Sequence, residues 1–246
     1  MQQLGPKRVL ILIAVLLAAT LIASVAFTAE PARISLVGKD LSTWRGDTGD
    51  WLIAGQAQMD PADNKRLTFK DGVGVLVNGK AGRTRNLLSK HEHADVEAHI
   101  EFMVPAGSNS GVYFQGRYEI QILDSWKVEQ LKHGDCGGIY QRWKDGKSFE
   151  GHPPRLNASR PPGEWQTFDV IFRAPRFDAD GKKIANARFV KVVHNGKVVH
   201  ENVEVTGPTR AATYGDEKPL GPLMLQGDHG PVAYRNLWLR PIAPKK

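Results

Sequence analysis

The run from Gly111 to Asp124 alternates with a period of two. Tyr118, Ile120 and Ile122 fall on one side; Arg117, Glu119 and Gln121 fall on the other. Successive side chains of a strand point to opposite faces. A chain carrying this run therefore sets one face against a core and leaves the other face polar. Asp124 is out of step with the polar set, and a bulge between Gln121 and Asp124 would bring it onto that face. Two carboxyl groups on one concave face suit acid/base work on sugars. A polar outer row is also what any half-buried antiparallel strand shows, although Glu-x-Gln followed by Asp is less ordinary there than Lys, Thr and Ser.

The same period recurs along the chain. Val96, Ala98, Ile100 and Phe102 alternate with Asp95, Glu97, His99 and Glu101, and Phe168, Val170 and Phe172 alternate again. Shorter strands are predicted at Arg33–Val37, Trp51–Ala54, Val73–Val77, Leu223–Gln226 and Val232–Leu239. Asn195-Gly196 separates two further strand-like runs, Ala187–His194 and Lys197–Val205, and is a preferred two-residue hairpin turn. Residues 126–163 are irregular and rich in Gly and Pro, which reads as long loops at the mouth of a sheet. No 3.6-residue period is sustained beyond the leader. Short strands separated by turn signals predict an all-β fold: one antiparallel β-sandwich of jelly-roll type over residues 33–243.

Residues 1–29 form a separate unit in the sequence. Lys7-Arg8 precede an apolar run from Val9 onward, and Ser24-Val25-Ala26 offers small residues for cleavage. This reads as a signal peptide or an uncleaved membrane anchor, so the domain is expected in the periplasm, at the cell surface or outside the cell. Any membrane contact would be through that segment alone. Cys136 is the one cysteine, so no internal disulfide staples the exported part. It reads as a passive thiol. The formal charge of +7 is scattered, with no basic stripe of the kind that binds nucleic acid.

The spacing Glu119-x-Gln121-x-x-Asp124 is similar to the bulged Glu-x-Asp-x-x-Glu strand of retaining β-glucanases with a concanavalin A-like sandwich. An amide replaces the middle acid here, and the shorter Asp comes last, which argues against ordinary double displacement. A broader resemblance links Asn109-Ser110-Gly111-Val112-Tyr113-Phe114, Tyr118 to Asp124, Arg160 to Val170, Arg173 to Asp178, His194-Asn195-Gly196, Leu225 to Val232 and Arg235 to Pro241. Together these resemble the 3-keto-disaccharide hydrolase domain family, from about Gly38 to Ile242. The resemblance implies a concanavalin A-like sandwich acting on sugars oxidised at C3.

A ketone at C3 acidifies the C2 proton, so a base, an enolate-stabilising group and an acid for the leaving oxygen would cleave the glycoside by elimination, with water addition to follow. Glu119, Asp124 and His229 are the catalytic candidates. Arg117, Gln121, Tyr113, Asn109, Tyr140 and Gln226 are the substrate-binding candidates. No cofactor is required by the sequence. A divalent metal is compatible with it, held by Glu119, Asp124 and His229 or near His91 and His93. His194 and His200 read as solvated residues of a hairpin. The alternative function is a non-catalytic, lectin-like carbohydrate-binding module, with Trp126, Trp143 and Tyr113 as stacking platforms.

Overall fold

The computed structural model describes residues 31–242; the leader at residues 1–29 and the last residue of the expected domain, 243, lie outside the described residues. A large antiparallel sheet runs in the order β14 (Lys197–Val205), β13 (Ala187–His194), β10 (Gln166–Arg173), β5 (Val96–Met103), β16 (Ala233–Pro241), β3 (Leu67–Val77) and β2 (Leu52–Met59), with β1 (Ile34–Ser35) also paired to β16. A smaller sheet runs β4 (Leu87–His93), β15 (Gly221–Leu225), β6 (Asn109–Phe114) and β7 (Tyr118–Leu123). Two short hairpins, β8 (Arg142–Lys144) with β9 (Lys147–Phe149) and β11 (Arg176–Phe177) with β12 (Lys183–Ala185), stand apart from both sheets. Among the described residues there is no α-helix. The protein is an all-β antiparallel sandwich of the concanavalin A-like type.

The alternating residues explain the packing. Ala98, Ile100 and Phe102 of β5, with Phe168, Val170 and Phe172 of β10, share one core with Val112, Phe114, Tyr118, Ile120 and Ile122 of the smaller sheet. Phe172 lies 5.1 Å from Phe114, 5.2 Å from Phe189 and 5.5 Å from Tyr118, ring centre to ring centre. Burying each such side chain contributes about 1.5–3 kcal/mol. Asn195 and Gly196 take φ of 48° and 78°, so the β13–β14 turn has positive φ at both central residues.

Three features of the fold differ from expectation. The strands around Trp51 and Val73 are longer than the sequence suggested and form the β2–β3 hairpin. β4 was not anticipated, because its inward positions are Leu87, Ser89 and His93, and two polar residues blur the apolar period. His194 and His200 are buried rather than solvated. His194 packs 4.8 Å from the Phe168 ring and its Nε2 pairs with Gln166 Oε1 at 2.9 Å. His200 Nε2 donates to the Gly137 carbonyl at 2.8 Å. His93 is likewise buried: Nδ1 donates to the Ala94 carbonyl and Nε2 accepts from the Gln115 amide, so neither nitrogen is left for a metal.

Burial lowers His93 and His200 to about 4 and His194 to about 3. In the unfolded chain each takes a proton near pH 6.5, whereas the folded protein keeps it neutral. The stabilisation from these three groups is complete above pH 6.5 and is lost as pH falls toward 4, at about 1.4 kcal/mol per pH unit for each histidine. Urea unfolding followed from pH 7 to pH 4 should show this decline, and a flat profile would contradict it.

Candidate active site

β6 and β7 pair without a register shift, Tyr113 opposite Glu119, Gly111 opposite Gln121 and Asn109 opposite Leu123. One face of this pair seals the core. The other face presents Asn109, Tyr113, Glu119 and Gln121. β15 pairs on the far side of β6, and just beyond it the Gln226 amide donates to the Gly111 carbonyl at 2.9 Å, which sets Gln226 beside the same face. Tyr140, Arg210, Ala211 and His229 complete the wall of a cavity of about 340 Å³. That is near the lower end of the range for small-ligand sites, roughly 300–1,000 Å³.

Glu119 forms the floor. Its side chain occupies the space that a residue larger than glycine would fill at position 111: a Cβ there would lie 2.2 Å from Glu119 Oε1. Glu119 is 1% exposed, and its Oε2 has no hydrogen-bond partner among the described residues. Burial pushes its carboxyl up to about 8; the Tyr113 phenol opposes this by hydrogen bonding, and the negative charge of Asp228 reinforces it. At neutral pH the group is mostly a neutral acid. Burial and the same carboxyl raise Tyr113 well above the ordinary phenol range. Gln121 Nε2 donates to Asn109 Oδ1 at 3.0 Å, fixing both amides.

His229 reaches the cavity from a braced loop. The Asn78 side chain donates to the carbonyls of Gly227 and Gly230 and accepts from the Val232 amide. Close approach requires the flanking glycines: a Cβ at Gly227 would lie 2.5 Å from the Arg85 carbonyl oxygen, and one at Gly230 would lie 2.4 Å from Ser108 Oγ. His229 Nδ1 lies 2.5 Å from Asp228 Oδ1. A carboxylate only accepts, so Nδ1–H donates to it and Nε2 is the ring nitrogen left outside this contact.

Two expected residues lie elsewhere. Arg117 belongs to the turn before β7, where Gln115 and Gly116 both have positive φ, so strand alternation does not carry its side chain to the Glu119 face. Its guanidinium donates to the Asp216 carbonyl and carboxylate and to the Gln115 carbonyl, and lies 4.7 Å from the Tyr214 ring centre. It clamps a loop. Asp124 follows the end of β7, and the bulge that would turn it inward is absent. Its carboxylate accepts from the amides of Gly107 and Trp126 and does not line the cavity. Among the described residues no three His, Cys, Asp or Glu side chains gather as a metal site, and Glu119, Asp124 and His229 do not come together as one. Cys136 is buried, which pushes its thiol up to about 12.

Arg210 and Ala211 were missed. Their segment has no periodicity and no motif, and its place is set by backbone bonds. Thr209 donates to the Arg117 carbonyl, Arg210 to that of Gln141 and Thr213 to that of Gly116. Ala211 adopts φ of 64°.

A concave polar face with an acid at its floor, on a concanavalin A-like sandwich, is the arrangement of a carbohydrate-active, glycosyl hydrolase-like protein. Residues 32–240 match the model of the 3-keto-alpha-glucoside-1,2-lyase-like domain, and the chain belongs to that family. A crystal structure of a protein from Parabacteroides distasonis, provisionally assigned as a glycosyl hydrolase, is similar with 28% identity and a TM-score of 0.63, over 85% of this chain and 84% of that one. A second Parabacteroides distasonis protein with the same provisional assignment shares the fold at 21% identity and a TM-score of 0.56, over 86% of this chain and 100% of that one. None of the curated proteins matches the chain.

The raised carboxyl of Glu119 has a consequence for stability. The unfolded chain releases this proton near pH 4.5 and the folded protein near 8. Its contribution is favourable below pH 4.5 and is lost as pH rises to about 8, by about 1.4 kcal/mol per pH unit, opposite in sign to the histidines. Glu119→Gln removes this proton uptake. The variant should gain stability relative to the parent across pH 5–8, as read by urea unfolding of both proteins; a pH-independent difference would show that Glu119 titrates normally.

Proposed function

We propose that this protein cleaves 3-keto-glycosides by elimination and hydration, with Glu119 as acid and His229 as base. The observation that carries the reading is the neutral carboxyl of Glu119, buried at the floor of an open polar pocket that His229 also lines. An acid that keeps its proton near neutral pH is suited to a leaving alkoxide. Membership of a family described as 3-keto-alpha-glucoside-1,2-lyase-like supports the substrate class.

In this reading His229 Nε2 takes the C2 proton while Asp228 stabilises the imidazolium through Nδ1. The electron pair enters the C2–C3 system as an enolate on the C3 oxygen, near the donors of Tyr113 and Gln121. The C1–O bond then breaks, and Glu119 gives its proton to the departing oxygen. The Glu119 carboxylate next takes a proton from water as that water adds to C1, and His229 returns its proton to C2. Both side chains regain their starting states, and the net change is hydrolysis. The basic and apolar leader supports export, which would set this activity outside the cytoplasm.

A second reading keeps the pocket and removes the chemistry. Trp126 and Trp143 are 43% and 46% exposed, as sugar-stacking platforms would be, and a binding module would use them without turnover. Assay of 3-keto-glucosides separates the two. Glu119→Gln and His229→Ala should each lower kcat by ~10²-fold or more, and the parent rate should fall above pH 8 as the acid ionises. A parallel assay with chelator tests dependence on a divalent cation. Tight sugar binding with no turnover of any 3-keto-glycoside would establish the binding module instead.

A further inference from the structure

Among the described residues, the cavity has a cation, Arg210, that makes no ion pair. Arg210 is exposed at the rim, and its guanidinium lies 4.1 Å from the ring centre of Trp143, itself on the exposed β8 strand. Glu119 is the one acid among the described residues that line the cavity with Arg210, and the nearby carboxylates Asp228 and Glu150 have partners of their own. Glu119 holds a proton at neutral pH, Asp228 is paired with His229, and Glu150 is paired with Arg142 and accepts from Thr206.

An indole beneath a guanidinium restricts its motion, and a guanidinium receives a carboxylate through two parallel hydrogen bonds. The backbone beneath it is fixed as well, through the Arg210 amide bonded to the Gln141 carbonyl at 2.8 Å. One unpaired guanidinium balances one unit of negative charge, which suits a carboxylate better than a phosphate dianion. Its place at the rim, away from the buried floor where Glu119 sits, aligns it with the departing half of a substrate rather than with the ring that reacts.

We infer that Arg210 and Trp143 form a rim subsite for a uronic-acid unit, so that the preferred substrates are glycosides whose leaving unit carries a carboxylate. Trp143, 46% exposed, packs against the sugar, and Arg210 binds the carboxylate. This rests on the pocket being a sugar site, and the test separates the two claims.

Binding is measured by calorimetry on the whole protein in the Glu119→Gln background, which slows turnover. The probes are glucosyl-glucuronate and the matched glucosyl-glucose, each with and without oxidation at C3, together with a glucosyl-glucose phosphate. The acidic disaccharide should bind ~10-fold or more tightly than the neutral one. That preference should shrink with added salt. It should vanish on adding Arg210→Gln and survive in part with Arg210→Lys. Equal affinity for acidic and neutral sugars, or a preference that persists in Arg210→Gln, would overturn the subsite and leave the sugar pocket standing. A stronger preference for the phosphate would overturn the carboxylate assignment. Failure of every probe to bind would overturn the subsite and the sugar pocket together.

Discussion

The unshifted register between β6 and β7 fixes both faces of the smaller sheet at once. A slip of β7 by one residue would exchange the two faces of that strand. Ile120 and Ile122 would leave the core, and Glu119 and Gln121 would be driven into it. The aromatic cluster around Phe172 holds the apolar half in place, and so it also holds the polar half toward solvent. The free energy of the core thus sets the position of groups that contribute nothing to it.

β7 ends the smaller sheet and would expose an unpaired edge. The following chain covers it. The Gln121 amide donates to the Gly138 carbonyl, the Gly137 amide donates back to the Gln121 carbonyl, and the Tyr140 amide donates to that of Glu119. These bonds satisfy the backbone of the strand. They also carry Tyr140 to the cavity. Arg117 does comparable work on the opposite side, because its bonds to Asp216 hold the segment that follows Arg210. Structural polar contacts and site geometry are therefore the same contacts, seen from two sides.

The electrostatic character of the site follows from depth. Glu119 lies at the floor and loses its hydration, so its neutral form is favoured. His229 lies in an exposed loop, with Nδ1 against the Asp228 carboxylate. One fold thus sets a buried carboxyl and an exposed imidazole, in contrasting environments, on one cavity. Sorting two titrating groups by environment is a common route to paired acid/base chemistry.

Much of the fold was legible in the sequence because period-two alternation is a local property. The apolar faces of β5 and β10, the Asn195-Gly196 turn and the polar row of β7 needed no tertiary information. Asn109, Tyr113, Gln121, Tyr140, Gln226 and His229, expected at the site with Glu119, do line one cavity with it. What the sequence could not supply was parity beyond the strand ends and position within loops. Arg117 and Asp124 flank β7, and there the turn and the cap, rather than the alternation, decide direction. His194 and His200 looked polar in the sequence and lie in the core, because the sheet register outweighs residue type where a hydrogen-bond acceptor waits inside. Arg210 reaches the cavity through backbone bonds to residues far from it in the chain. Only the folded sheet brings those carbonyls together, and so only the tertiary structure could place Arg210 at the site.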